Sequence, residues 1–155
     1  MESIKEGKIY LRQEFAKGTD CPCCGQFVKL YKRKLNSGMS LFLIGLYKLS
    51  KNNGVRCFKN QIIMRKMNLN TSSLDYSIIK HFDLIEEEID HETEKKNSGY
   101  WKITQKGIEF IEQKIEVPSH VHIYNGKVLG FADTTTNIIT SLGNKFSYNE
   151  LMNNN

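Results

Sequence analysis

Along this chain the spacing of apolar side chains changes from segment to segment, and each change marks an element. From Asn36 onward, Met39, Phe42, Leu43, Leu46 and Leu49 fall at i, i+3, i+4, i+7 and i+10, the spacing of one helical face. Leu41 and Ile44 lie off that face, which predicts a helix buried on more than one side. Lys51-Asn52-Asn53-Gly54 supplies the stop. Val55-Arg56-Cys57 reads as a short extended piece. Lys59 to Met67 reads as a second helix, with Ile62 and Ile63 inward and Arg65 and Lys66 near its end, broken by Asn68-Leu69-Asn70. Ser72-Ser73-Leu74-Asp75 fits a capping box and predicts a third helix. There Leu74, Ile78 and Phe82 face the core, while Ser73, Tyr76, Ser77 and Lys80 form a compact polar stripe.

The period then shortens. Leu84 to Ile89 and Gly99 to Ile103 read as two strands joined by a polar stretch, Asp90 to Ser98. Thr104 caps a helix predicted to run through Gln113, with Ile108, Ile111 and Ile115 on one side. Pro118 punctuates its end. His120 to Tyr124 alternates strictly, Asn125-Gly126 follows, and Lys127 to Phe131 returns, a strong hairpin signal. Alternation puts Val121 and Ile123 on one face and His120 and His122 on the other. Two imidazoles with no third ligand beside them read as a polar face rather than a metal site. Ser147-x-x-Glu150 caps a last short turn. The expected fold is α+β in three parts: an arm over 1–35, a helical and stranded unit over 36–116, and a hairpin tail over 117–155. The tail packs either on that unit or on a second subunit, which would make a homodimer.

Composition narrows the picture. The chain has 155 residues, 39% apolar and 25% charged, enough for one modest core. The run Leu41 to Leu46 is six residues long, far short of the ~20 that a membrane helix needs. The first 15 residues mix charges of both signs and carry no export signal, so the expected compartment is cytoplasmic, without a membrane partner. Charge is unevenly spread. Residues 1–83 hold 15 Lys/Arg against 6 Asp/Glu, and residues 84–155 hold 7 against 11. The first half therefore suits an anionic partner, since phosphate backbones reward Lys and Arg through counterion release. Phe27 to Lys34 mixes apolar and basic residues as a strand or extended arm, so that Lys32, Arg33 and Lys34 are candidate phosphate contacts.

Three of the four cysteines crowd into Cys21-Pro22-Cys23-Cys24-Gly25-Gln26. Cys21-x-x-Cys24 followed by glycine has the spacing of a zinc knuckle, which makes Cys21 and Cys24 candidate ligands and zinc a candidate cofactor. A closed site needs two more ligands, from Cys57 with one of His81, His91, His120 or His122, or from a second subunit. The alternative is a tight turn with reduced thiols. No Gly-rich phosphate loop, nucleophile elbow or His-Glu-x-x-His helix is present, so the inventory does not predict an enzyme.

The segments Tyr76 to Glu86 and Gly99 to Phe110 resemble the recognition helix and wing of winged-helix proteins, in which a helix ending in Leu84-Ile85-Glu86 leads out and Trp101-x-Ile103-Thr104-x-Lys106-Gly107 returns the chain. The resemblance covers about residues 36–113. The whole chain also resembles small proteins of tailed bacteriophages that pair a Cys-rich turn with a winged helix and a short tail. The resemblance implies duplex DNA binding, with the third helix in the major groove, by a regulator or accessory factor. The groove-facing candidates are then Ser73, Tyr76, Ser77 and Lys80, with Thr71 and Ser72 as phosphate contacts at the helix start. The wing departs from that pattern. Glu86, Glu87, Glu88, Asp90, Glu92 and Glu94 stand against Lys95 and Lys96, and the third helix has one Lys and no Arg. An acidic wing suits a protein partner, so docking on a basic host or phage protein is the alternative.

Overall fold

The computed structural model describes residues 3–69, 76–88, 99–124 and 127–153, with only the backbone of Tyr76 and Ser77. The elements run α1 (Ile4–Glu14), β1 (Thr19–Asp20), β2 (Phe27–Val28), β3 (Tyr31–Lys34), α2 (Ser37–Asn53), β4 (Phe58–Lys59), α3 (Asn60–Lys66), α4 (Tyr76–His81), β5 (Ile85–Glu87), β6 (Tyr100–Ile103), α5 (Gln105–Ile111), β7 (Val117–Pro118), β8 (His120–Tyr124), β9 (Lys127–Phe131), β10 (Thr135–Thr136), α6 (Ile138–Leu142) and α7 (Tyr148–Asn153). The fold is mixed α+β, with small antiparallel sheets.

Helix α2 is the centre. Asn36 caps it, its side-chain oxygen accepting from the Met39 N–H at 3.0 Å. Every residue from Met39 to Tyr47 is buried, as the off-face Leu41 and Ile44 implied. A helix apolar on all sides must be covered on all sides. Here α3, α5, α6, α7 and β6 all pack against it. Ser40 donates to the Ser141 hydroxyl at 2.7 Å, a buried bond that satisfies both groups between α2 and α6. The Lys48 ammonium donates to the Leu151 carbonyl at 2.6 Å, tying α2 to α7. The tail thus packs on its own chain.

There are two three-stranded sheets among the described residues, and β6 of one packs against α2. In one the order is β4-β6-β5, with the returning strand β6 in the middle. In the other the order is β3-β8-β9, so the strand before α2 pairs with the tail hairpin. Its register sets Tyr31 opposite Ile123, Lys32 opposite His122, Arg33 opposite Val121 and Lys34 opposite His120.

Several expectations shift. Ile62 is 47% exposed and only Ile63 turns inward, because adjacent residues on a short helix point about 100° apart. The extended piece expected at Val55-Arg56-Cys57 lies three residues later, at Phe58–Lys59, where Phe58 pairs with Trp101 and is buried. Burial of the aromatic ring, not the β-branched Val55, decides which residues join the sheet. Helix α1 was not legible from apolar spacing, since of its residues only Gly7 is buried. Its start does carry a capping pair: the Ser3 hydroxyl accepts from the Glu6 N–H at 3.1 Å. Among the described residues, no helix is long and apolar enough to cross a membrane.

Candidate nucleic-acid interface

Helix α4 is anchored as its apolar spacing predicts: Ile78 and Phe82 are buried, and so is Ile79. Thr71, Ser72, Ser73 and Leu74 lie outside the described residues, as do the side chains of Tyr76 and Ser77 and the acids Asp90, Glu92 and Glu94. Lys80 is exposed, and its ammonium stands 3.6 Å from the Glu87 carboxylate on β5. The neighbouring His81 is pushed below its usual range by burial and then by the Lys80 charge, so it is neutral at pH 7. The cation of this helix is therefore shared with β5, where Glu86 is exposed, as is Glu88 just beyond the strand.

The basic run on β3 is not one patch. Alternation splits it. Arg33 shares the inner face with its partner Val121 and is half-buried, while Lys32 and Lys34 stand exposed on the outer face beside His122 and His120. Tyr124 continues that face along β8, with Lys127 opposite it on β9. The Cβ position of Gly130, opposite His122, meets nothing within 4 Å, so the outer face is open there.

Across the Tyr124 end of this sheet lies α1. Lys8, Leu11, Arg12 and Phe15 fall at i, i+3, i+4 and i+7, one face of that helix, and turn toward Tyr124, Lys127 and Leu129. Together they line a half-open groove of about 790 Å³. The Phe15 and Tyr124 rings meet edge-on at 4.9 Å with planes at 77°, the preferred T-shaped arrangement. Lys8, Arg12 and Lys127 are all exposed. Among the described residues no carboxylate lines the groove. Sequence reasoning missed these cations. The Ser3-x-x-Glu6 cap and the four-residue spacing of Lys8 and Arg12 were the available signals.

The cysteine turn joins β1 to β2. The Cys21 N–H donates to the Gln26 carbonyl at 2.7 Å and the Gly25 N–H to the Cys21 carbonyl at 2.8 Å, with Gly25 at φ +74°. That φ is left-handed and is the reason a glycine closes the turn. The Cys21 thiol is held below its usual range, chiefly because the Cys23 N–H and then the Cys24 N–H donate to its sulfur. This is the arrangement a metal-binding turn needs, but it brings only half a site. Among the described residues no group of three or more His, Cys, Asp or Glu side chains is placed to hold a metal ion. Cys57 goes the other way, its thiol pushed up by burial and then by the Glu88 charge. At neutral pH a small alkylating agent is therefore expected to label Cys21 ahead of Cys57 in the folded chain, because only the thiolate reacts. Peptide mass spectrometry over a time course reads this. Equal rates would remove the N–H donors as the cause.

No family model, curated protein or solved structure matches the chain.

Proposed function

We propose that this chain is a nucleic-acid-binding protein, a regulator or accessory factor, in which residues 36–113 form a winged helix. The observation that carries the reading is the order α2-β4-α3-α4-β5-β6 with β6 between β4 and β5. That order leaves α4 as the helix just before the β5–β6 wing, the position that enters a major groove in winged helices. The exposed cations Lys32 and Lys34 on the outer face of β3 supply sequence-independent attraction to phosphate.

The expected result is a mobility shift on random duplex DNA that weakens steeply from low to physiological salt. Replacing Lys32 and Lys34 by Ala should flatten the salt dependence by about one to two units of slope. Replacing Lys80 by Ala should change preference among sequences more than bulk affinity. Duplex binding untouched by either change would sink the reading.

The Lys80–Glu87 pair and the exposed Glu86 and Glu88 favour a second reading, a protein-docking module for a basic partner. It requires no salt-sensitive DNA binding, together with loss of partner capture when Glu86 and Glu88 become Gln.

A further inference from the structure

We propose that the groove between α1 and the β8–β9 hairpin binds single-stranded nucleic acid. The inference does not depend on the third helix or on the wing. Three features carry it.

The first is charge. Lys8 and Arg12 project from one wall and Lys127 from the other, with no lining carboxylate among the described residues. Such a site selects an anion.

The second is the chemistry of the walls. Leu11, Phe15, Tyr124 and Leu129 make most of the lining apolar, and about 790 Å³ lies within the size of small-molecule sites. The T-shaped Phe15–Tyr124 pair leaves a flat ring face uncovered by its partner. A groove that is both cationic and aromatic fits a ring joined to a phosphate. Aromatic platforms set along a positive groove are how single strands are held without sequence preference. A duplex offers no free base face to stack in such a groove, since its bases are already stacked on one another.

The third is extent. The groove opens onto a cationic row along the outer face of the sheet. His120, His122 and Tyr124 follow one another along the central strand β8, about 6.6 Å apart by alternation, with Lys34 and Lys32 beside the first two on β3 and Lys127 beside the third on β9. A row that continues past the groove suits a polymer of phosphates better than one free nucleotide. It also separates the ligand from an acidic peptide, which would use the cations but not the rings.

The test is fluorescence anisotropy of the full chain with a labelled oligothymidine of about 15 nucleotides, at two salt concentrations. The same oligomer as a duplex and vesicles containing anionic lipid serve as competitors. Binding is expected, with the duplex and the vesicles competing poorly. Arg12→Glu with Lys127→Glu should weaken binding more than tenfold and lower the salt slope by about 1.4, since each neutralised phosphate contributes about 0.7 on a single strand. Tyr124→Leu should weaken binding about tenfold at unchanged salt slope, because it removes stacking and no charge. The two charge reversals sit on exposed side chains, so they keep the test decisive should Tyr124→Leu disturb the hairpin. Absence of oligomer binding overturns the proposal. So does equal binding by the charge-reversed chain, or vesicles displacing the oligomer at matched charge. If Lys80→Ala changes duplex binding while Tyr124→Leu leaves oligothymidine binding unchanged, the winged-helix reading survives alone. The reverse outcome leaves the groove alone.

Discussion

Replacing Gly107 by alanine should destabilise this protein by about 3 kcal/mol, although the same change in most helices is favourable by up to ~1 kcal/mol. An added Cβ would sit 2.2 Å from the Leu84 carbonyl oxygen and 2.8 Å from a side-chain carbon of Ile103. The carbonyl cannot move aside freely, because it accepts the Thr104 N–H at 3.1 Å. Thr104 is itself the hub of this corner. Its hydroxyl accepts from the Gly107 N–H at 2.9 Å as the cap of α5 and donates to the Asp83 carbonyl at 2.7 Å. A clash with held backbone therefore outweighs the helix-propensity gain. For a chain of this length the expected drop in Tm is roughly 6–12 °C, read by circular dichroism or calorimetry. Gly130→Ala is the matched control, since its Cβ would meet open space and Tm should stay within about 2 °C. Equal melting of the two variants would show that α5 does not approach the end of β5 this closely.

Ending the chain at Glu116 should abolish cooperative folding. Val117, Val121, Ile123, Ile138 and Leu142 are buried in the same core as α2. Burying each such side chain is worth about 1.5–3 kcal/mol, so their joint loss is comparable with the whole ~5–15 kcal/mol stability of an ordinary domain. Truncation also strips β3 of its only strand partner among the described residues and exposes the face of α2 that α6 covers. The shortened chain should lose its sigmoidal melt and elute as aggregate on size exclusion. A cooperative melt within a few degrees of the full chain would mean that residues 36–116 fold alone and the tail is an accessory.

The groove and the charge-split strand show why part of the candidate surface escaped sequence reasoning. Lys32-Arg33-Lys34 reads as one basic cluster, but a strand sends neighbours to opposite faces, so only Lys32 and Lys34 share the exposed side. Lys8, Arg12, Tyr124 and Lys127 come from opposite ends of the chain, and nothing in their local pattern says that they meet. Helix α1 has no continuous buried stripe to announce it, and its anchor is the contact of Phe15 with Tyr124. By contrast, the Thr104 cap and the Ser147 cap were both legible, because a cap is a bond between residues three apart.

What the sequence determined by itself was every feature whose cause is local: α2 with its run of apolar residues on more than one face, the inward Ile78 and Phe82, the alternating β8 with its return in β9, and the tight glycine turn at Cys21 to Gly25. These follow from spacing and turn chemistry within a few residues. Only the tertiary structure decided that β3 pairs with β8 rather than standing as a free arm, that Lys80 shares its charge with Glu87, and that α1 lies over the Tyr124 end of the sheet. The residues of β3 and β8, some ninety positions apart, and those of α1 and Tyr124, more than a hundred apart, carry no mutual periodicity, while Lys80 and Glu87 sit on a helix and a strand whose relative placement no local spacing sets. Their meeting is set by which arrangement leaves the fewest apolar faces of α2 and of the hairpin in water.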